Sequence, residues 1–79
     1  MATGKLARDV ATASICVRVG AKIRELRTAR GWTQQILADH AQIERSHLAR
    51  LEEGKREAGL MMLEKIADAL EANVIDLLR

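Results

Sequence analysis

No proline interrupts the 79 residues of this chain, and its single aromatic residue is one tryptophan, with no phenylalanine or tyrosine. Strand-rich domains draw on β-branched and aromatic residues for pleated faces, and on Pro and Gly for turns. Ala, Leu, Arg and Glu dominate instead, and these are helix formers. A composition of 48% hydrophobic and 30% charged residues is globular, not disordered. The expectation is one all-α domain with a thin core, because chains this short bury only about 60–65% of their unfolded surface. No apolar run approaches the roughly 20 residues that span a bilayer. The first residues lack the apolar core of a secretion signal. A lone Cys16 makes no internal disulfide, which suits a reducing compartment. The expected location is cytoplasmic, away from membranes.

The net charge is only +2, but it is unevenly placed. Residues 1–34 carry seven Lys/Arg against two Asp/Glu, residues 35–56 carry four of each, and residues 57–79 carry two against five. A basic front and an acidic back point to a polyanion on one side.

Residues 1–16 read as an N-terminal extension that can lengthen the first helix, and 17–79 as the domain proper. Leu6, Val10, Ala13 and Val17 have helical spacing from near Ala7, although the β-branched run Ile15–Val19 opposes it. From Val17 to Arg30 the pattern Val19, Ile23, Leu26, Arg30 is helical, and Gly31 is a natural stop. Thr33 is placed to cap a short second helix over Gln34–Ala41. A third helix is expected over Arg45–Glu52, ending before Gly54. A fourth over Leu60–Leu70 carries the inward stripe Leu60, Leu63, Ile66, Leu70, which continues to Val74 and Leu77. Asn73 can cap a fifth over Val74–Leu78. Helices of two turns are unstable alone, so the second and third must be held by their neighbours. Two such helices joined by a tight turn form the helix-turn-helix plan.

Residues Ile23–Leu78 resemble the phage repressor and Cro family of DNA-binding domains, of the xenobiotic-response-element type. The resemblance rests on the Arg30-Gly31 pair ending the first helix, Thr33-Gln34 opening the second, and Arg45–Arg56 ending in Glu52-Glu53-Gly54-Lys55-Arg56. It continues through Leu63–Leu70. Size and the segment Arg45–Arg56 look most like the controller proteins of restriction–modification systems. The resemblance implies a five-helix, repressor-like domain acting as a transcriptional regulator on double-stranded DNA, without cofactor, metal or small-molecule ligand.

In that family the third helix enters the major groove. With Leu48 and Leu51 inward, Arg45, Ser46 and Ala49 lie on the opposite face and Arg50 flanks them. Arg45 is the best base reader and Arg50 the second, since Arg can fork onto guanine O6 and N7. Ser46 can meet a base or a phosphate, Ala49 a thymine methyl, and His47 a base edge or a phosphate. Gln34 matches the family's backbone clamp at a helix N-terminus that favours phosphate. Thr33 caps the helix and can also touch the backbone, and Gln35 can serve either contact. Lys55 and Arg56 occupy the loop that grips flanking phosphates, setting register more than sequence preference. Arg27 and Glu52 resemble the partly buried ion pair that joins the first helix to the third.

Three positions depart from the family pattern. Gln42 stands where Gly is usual between the two helices, and carries strain if that turn needs positive φ. Glu44 replaces the usual cap of the recognition helix, and would repel phosphate or accept from cytosine N4. Glu71 replaces the usual Gly after the fourth helix.

Met61, Met62 and Ile75 fall at normally polar positions, and apolar groups left outside a core often mark a partner surface. Many family members dimerise through the last two helices, so a homodimer using Met61, Ile75 and Leu78, with Met62 at its margin, is expected. Ile36 projects beside Gln35 without a role. Trp32 is expected over the junction of the first two helices.

An enzyme is not expected. Cys16 has no His near it in sequence and reads as a buried structural thiol. His40 and His47 are seven apart on different helices, whereas metal-binding helices more often space ligands four apart. The second reading is an antitoxin-type DNA-binding protein that also binds a toxin. A purely protein-binding module would carry an uncharged or acidic third helix, which Arg45, Arg50, Lys55 and Arg56 oppose.

Overall fold

The computed structural model describes the backbone of residues 3–79 and side chains from Thr12 onward. Five helices follow in order: α1 Thr3–Ala29, α2 Gln34–Ala41, α3 Arg45–Glu52, α4 Leu60–Ala69 and α5 Val74–Leu78. The architecture is all-α, as the composition implied. Each helix contributes one large side chain with no solvent exposure: Ile23, Leu37, Leu48, Ile66 and Leu77. Val19, Leu51, Leu63 and Leu70 complete the aliphatic core, with Leu26, Trp32, Ile43 and Met62 packed against it.

The helices end by one recurrent device. Residues 31, 42, 54 and 71 each adopt left-handed backbone, with φ of 71°, 57°, 72° and 54°. At each end the next amide reaches five residues back: Trp32 to Arg27, Ile43 to Ala38, Lys55 to Arg50 and Ala72 to Ala67. This doubly bonded closure satisfies carbonyls that a helix end leaves free. Gly31 and Gly54 adopt it without steric penalty, but Gln42 and Glu71 carry a Cβ into the left-handed region. The strain expected at Gln42 is therefore present.

Helix starts are more varied. Thr33 Oγ1 accepts from the Ile36 amide at 3.2 Å. Glu44 is extended at the start of α3, without a side-chain cap bond. At α5 the Asp76 carboxylate accepts from the Asn73 amide at 2.9 Å.

Three expectations about α1 and α4 need correction. α1 begins at Thr3, well before Ala7, and the β-branched run lies inside it. The expected stripe through Leu6 and Val10 lies outside the described side chains, and its last members Ala13 and Val17 are exposed. The inward side of α1 runs instead through Val19, Ile23 and Leu26, with Arg27 buried at its end. Leu60, read as inward, is 78% exposed. It is the first residue of α4, and helical side chains lean toward the N-terminus, so it overhangs the helix start with nothing above it.

Gly20 decides how closely α1 approaches α3. A Cβ there would collide with the Leu51 carbonyl oxygen and lie 2.8 Å from that of Glu52. At the next contact a Cβ on Gly54 would lie 2.8 Å from Val17 Cα. Backbone therefore packs on backbone where α1 crosses the end of α3 and the loop after it.

Candidate nucleic-acid interface

α3 is anchored by Leu48 and Leu51, both buried, and this turns Arg45, Ser46 and Arg50 to solvent. Ala49 and His47 are half-buried at the margins of that face. The two sides of the helix differ. Ser46, His47, Arg50 and Arg56 border one concave surface, together with Glu44, Met62 and Lys65. Arg45, Ala49 and Glu52, spaced i, i+4 and i+7, form a stripe whose polar ends meet the start of α2.

That junction holds four polar side chains in series. Arg27 donates from Nε to Glu52 Oε2 at 2.7 Å and from Nη2 to Glu52 Oε1 at 2.9 Å. Its Nη1 donates to the Trp32 carbonyl at 2.7 Å. Gln34 Nε2 donates to Glu52 Oε1 at 3.1 Å, and Gln34 Oε1 accepts from Arg45 Nη1 at 3.4 Å. The Arg27 and Glu52 side chains are 11% and 3% exposed. The hydrogen bond to Glu52, reinforced by its charge, holds the Arg27 guanidinium above its ordinary pKa against the opposing effect of burial.

Other sequence-named residues have local partners. Thr33 spends its oxygen on the Ile36 amide, and Leu37 bonds the Thr33 carbonyl. This leaves the Gln34 and Gln35 amides as open donors of the first turn of α2. Gln35 Nε2 donates to Asp39 at 2.8 Å. Lys55 Nζ lies 3.4 Å from Glu53, and that pair is exposed, so little holds Lys55 back from a phosphate.

Trp32 is half-buried beside the core, as expected at the α1–α2 junction. Its ring stacks on His40 at 4.5 Å and 9°, with the Arg30 guanidinium 5.1 Å from the ring. Arg30 also donates to the Leu70 carbonyl at 2.9 Å and pairs with Glu71 at 3.0 Å. Cys16 is half-buried, not buried as expected. It borders a cavity of about 170 Å³ shared by Ile15, Val19, Leu63 and Leu78.

The apolar residues expected outside the core divide. Met61, Ile75 and Leu78 are 73%, 63% and 42% exposed, and Leu60 joins them. Met62 does not: it is half-buried against the core and faces Ile43, His47 and Arg50. Two further features escaped the sequence reading, the close approach at Gly20 and the link from Gln34 to Glu52. A glycine amid helix formers was the available signal for the first.

A family model described as "Helix-turn-helix domain" matches residues 18–79. The restriction-modification controller protein C.AhdI from Aeromonas hydrophila is 37% identical, with a TM-score of 0.77 over 78% of this chain and 94% of that one. The clp gene regulator ClgR from Corynebacterium glutamicum is 31% identical, with a TM-score of 0.77 over 81% of this chain and 68% of its own. The competence pilus inhibition repressor of Acinetobacter baylyi is 38% identical over 56 residues, which are 71% of this chain and 51% of that protein. The chain thus spans about half the length of that curated relative. This protein belongs to the helix-turn-helix domain family, in its repressor-like branch. Within it, the chain is similar in sequence and fold to the restriction-modification controller proteins. Among the described residues no helix is long and apolar enough to cross a membrane.

Proposed function

We propose that this protein binds a pseudo-palindromic operator as a homodimer, in the cytoplasm, with α3 in the major groove. The observation that carries the reading is the outer face of α3. Arg45, Ser46 and Arg50 are exposed there on a helix whose other side is locked by Leu48 and Leu51. Arg45 and Arg50 read base edges, with Ser46, His47 and Ala49 beside them. Thr33, Gln34, Gln35, Lys55 and Arg56 take the phosphates, the first three at the positive end of α2. Met61, Ile75 and Leu78, extended by Leu60, form the self-contact, which sets two recognition helices about 34 Å apart on successive major grooves.

The test is a fluorescence-anisotropy titration at about 0.15 M salt. One duplex carries the region upstream of the protein's own gene and the other carries the same bases scrambled. The reading expects a preference of about 10³-fold or more for the native duplex. Equal, weak binding to both that fades steeply with salt would defeat it for this target.

A further inference from the structure

Three cations from three different elements border the concave surface beside α3: Arg50 from the helix itself, Arg56 from the loop after it and Lys65 from the middle of α4. All three are exposed, and among the described residues none is in an ion pair. Elsewhere Lys22, Arg27, Arg30 and Lys55 each have a carboxylate partner. One carboxylate, Glu44, shares the rim, so three positive charges face one negative. Lys65 is the unexpected member. It lies in the acidic last third of the chain, and it is the only Lys or Arg of α4, which also carries Glu64 and Asp68. Met62 precedes it by three residues, so the two share a face of the helix. Met62 rests half-buried against the core, and both border the same concavity as Ser46, His47 and Arg50.

We propose that Lys65 is a further DNA-contact residue, which with Arg56 holds a backbone phosphate on the other flank of α3 from the start of α2. The chemistry fits a phosphodiester. An ammonium and a guanidinium, both without an acidic partner, offer several N–H donors to one anionic group, and such charge-assisted bonds are strong. The ammonium sits on a long flexible stem, which lets it follow a phosphate without disturbing α4. Backbone contacts fix register and orientation on the duplex. Gln34 and Gln35 supply them on one flank of α3, and Lys65 and Arg56 supply them on the other. The recognition helix is then held from both sides and cannot roll in the groove. The inference rests on α3 entering the major groove, and it adds to that reading a residue from the acidic part of the chain.

The probe is the duplex that the wild-type protein enriches from a randomised pool, made also as a series in which one phosphate at a time is replaced by a neutral methylphosphonate. Lys65→Met keeps the length of the side chain without its charge, and Lys65→Arg keeps the charge. Because Lys65 is exposed, both variants should melt as the wild type does. Affinities are read by anisotropy across a salt series. Lys65→Met should bind cognate and single-base-altered duplexes alike about fivefold more weakly per half-site at about 0.15 M salt, with the salt slope lowered by about one per bound protomer. In the methylphosphonate series its response should shrink at one phosphate in each half-site and match the wild type at the others. Lys65→Arg should restore both readouts. An unchanged slope would overturn the contact. So would a lowered slope with every phosphate response intact, which is the pattern of a distant charge, or a loss of preference at one base pair, which is that of a base reader. If the wild type enriches no duplex, or is indifferent to every phosphate, the placement of α3 in the groove fails and the Lys65 contact fails with it.

Discussion

Arg27 of α1 and Glu52 of α3 meet in a two-pronged ion pair, at 2.7 and 2.9 Å, at the point where backbone packs on backbone beside Gly20. Removing one member of so buried a pair leaves a buried charge without its counter-charge, at a cost of about 3–5 kcal/mol. Arg27→Met should therefore lower the melting temperature by more than about 10 °C, on the usual scaling for a domain of this size. The double variant Arg27→Met/Glu52→Leu should recover part of that loss, because two apolar groups strand no charge. The raised pKa of Arg27 means that its contribution is complete below the ordinary guanidinium value and is lost only as pH rises past the raised one. The loss caused by Arg27→Met should accordingly be equal at about pH 7 and about pH 9.

Gln42 ends α2 in left-handed backbone at φ 57°, on an exposed turn. A non-glycine residue pays roughly 1–2 kcal/mol in that region, partly offset by the greater unfolded freedom of Gly. Gln42→Gly should stabilise by about 1 kcal/mol, or about 4–8 °C in melting temperature, without altering DNA affinity. Glu71→Gly should gain less, because the Glu71 carboxylate also pairs with Arg30 at 3.0 Å.

Gly20→Ala reverses the usual sign of a helix substitution. In an open helix the change gains roughly 0.5–1 kcal/mol. Here the new methyl meets the carbonyl oxygens of Leu51 and Glu52, which are backbone and cannot swing aside. Destabilisation of about 1–3 kcal/mol is expected, read by urea denaturation. A stabilised protein would show that α1 and α3 can part at little cost.

Arg45→Ala and Lys55→Ala should separate in a salt series. Loss of Arg45 should flatten preference between cognate and altered duplexes, and leave stability nearly unchanged. Loss of Lys55 should weaken every duplex alike and reduce the salt slope by about one.

Ile75 is 63% exposed on α5, so replacing it with a charge disturbs little inside the protomer. Ile75→Glu should shift the protein toward monomer in sedimentation, with an unaltered helical spectrum. Binding to a two-half-site duplex should fall more than binding to a single half-site.

The elements most readable in advance were those set by neighbours within a turn. α2, α3 and α5 occupy the expected spans because Thr33, Asn73 and Gly54 act through hydrogen bonds a few residues away. The left-handed turn at Gln42 was likewise visible as a departure from a glycine pattern. Arg27 and Glu52 were paired only by resemblance, since no local rule links residues 25 positions apart.

What the tertiary structure alone decided was which surfaces are covered. Periodicity put Leu60 on the inward stripe of α4, Met62 outside the core, and Val17 on the apolar stripe of α1, and the structure reverses all three. Met62 lies half-buried against the core, and the overhanging start of α4 left Leu60 exposed. The amide of Gln34 takes its direction from a carboxylate on another helix. Caps and periods are local properties of the chain. Burial and side-chain orientation depend on partners far along it, and these exist only once the helices have packed.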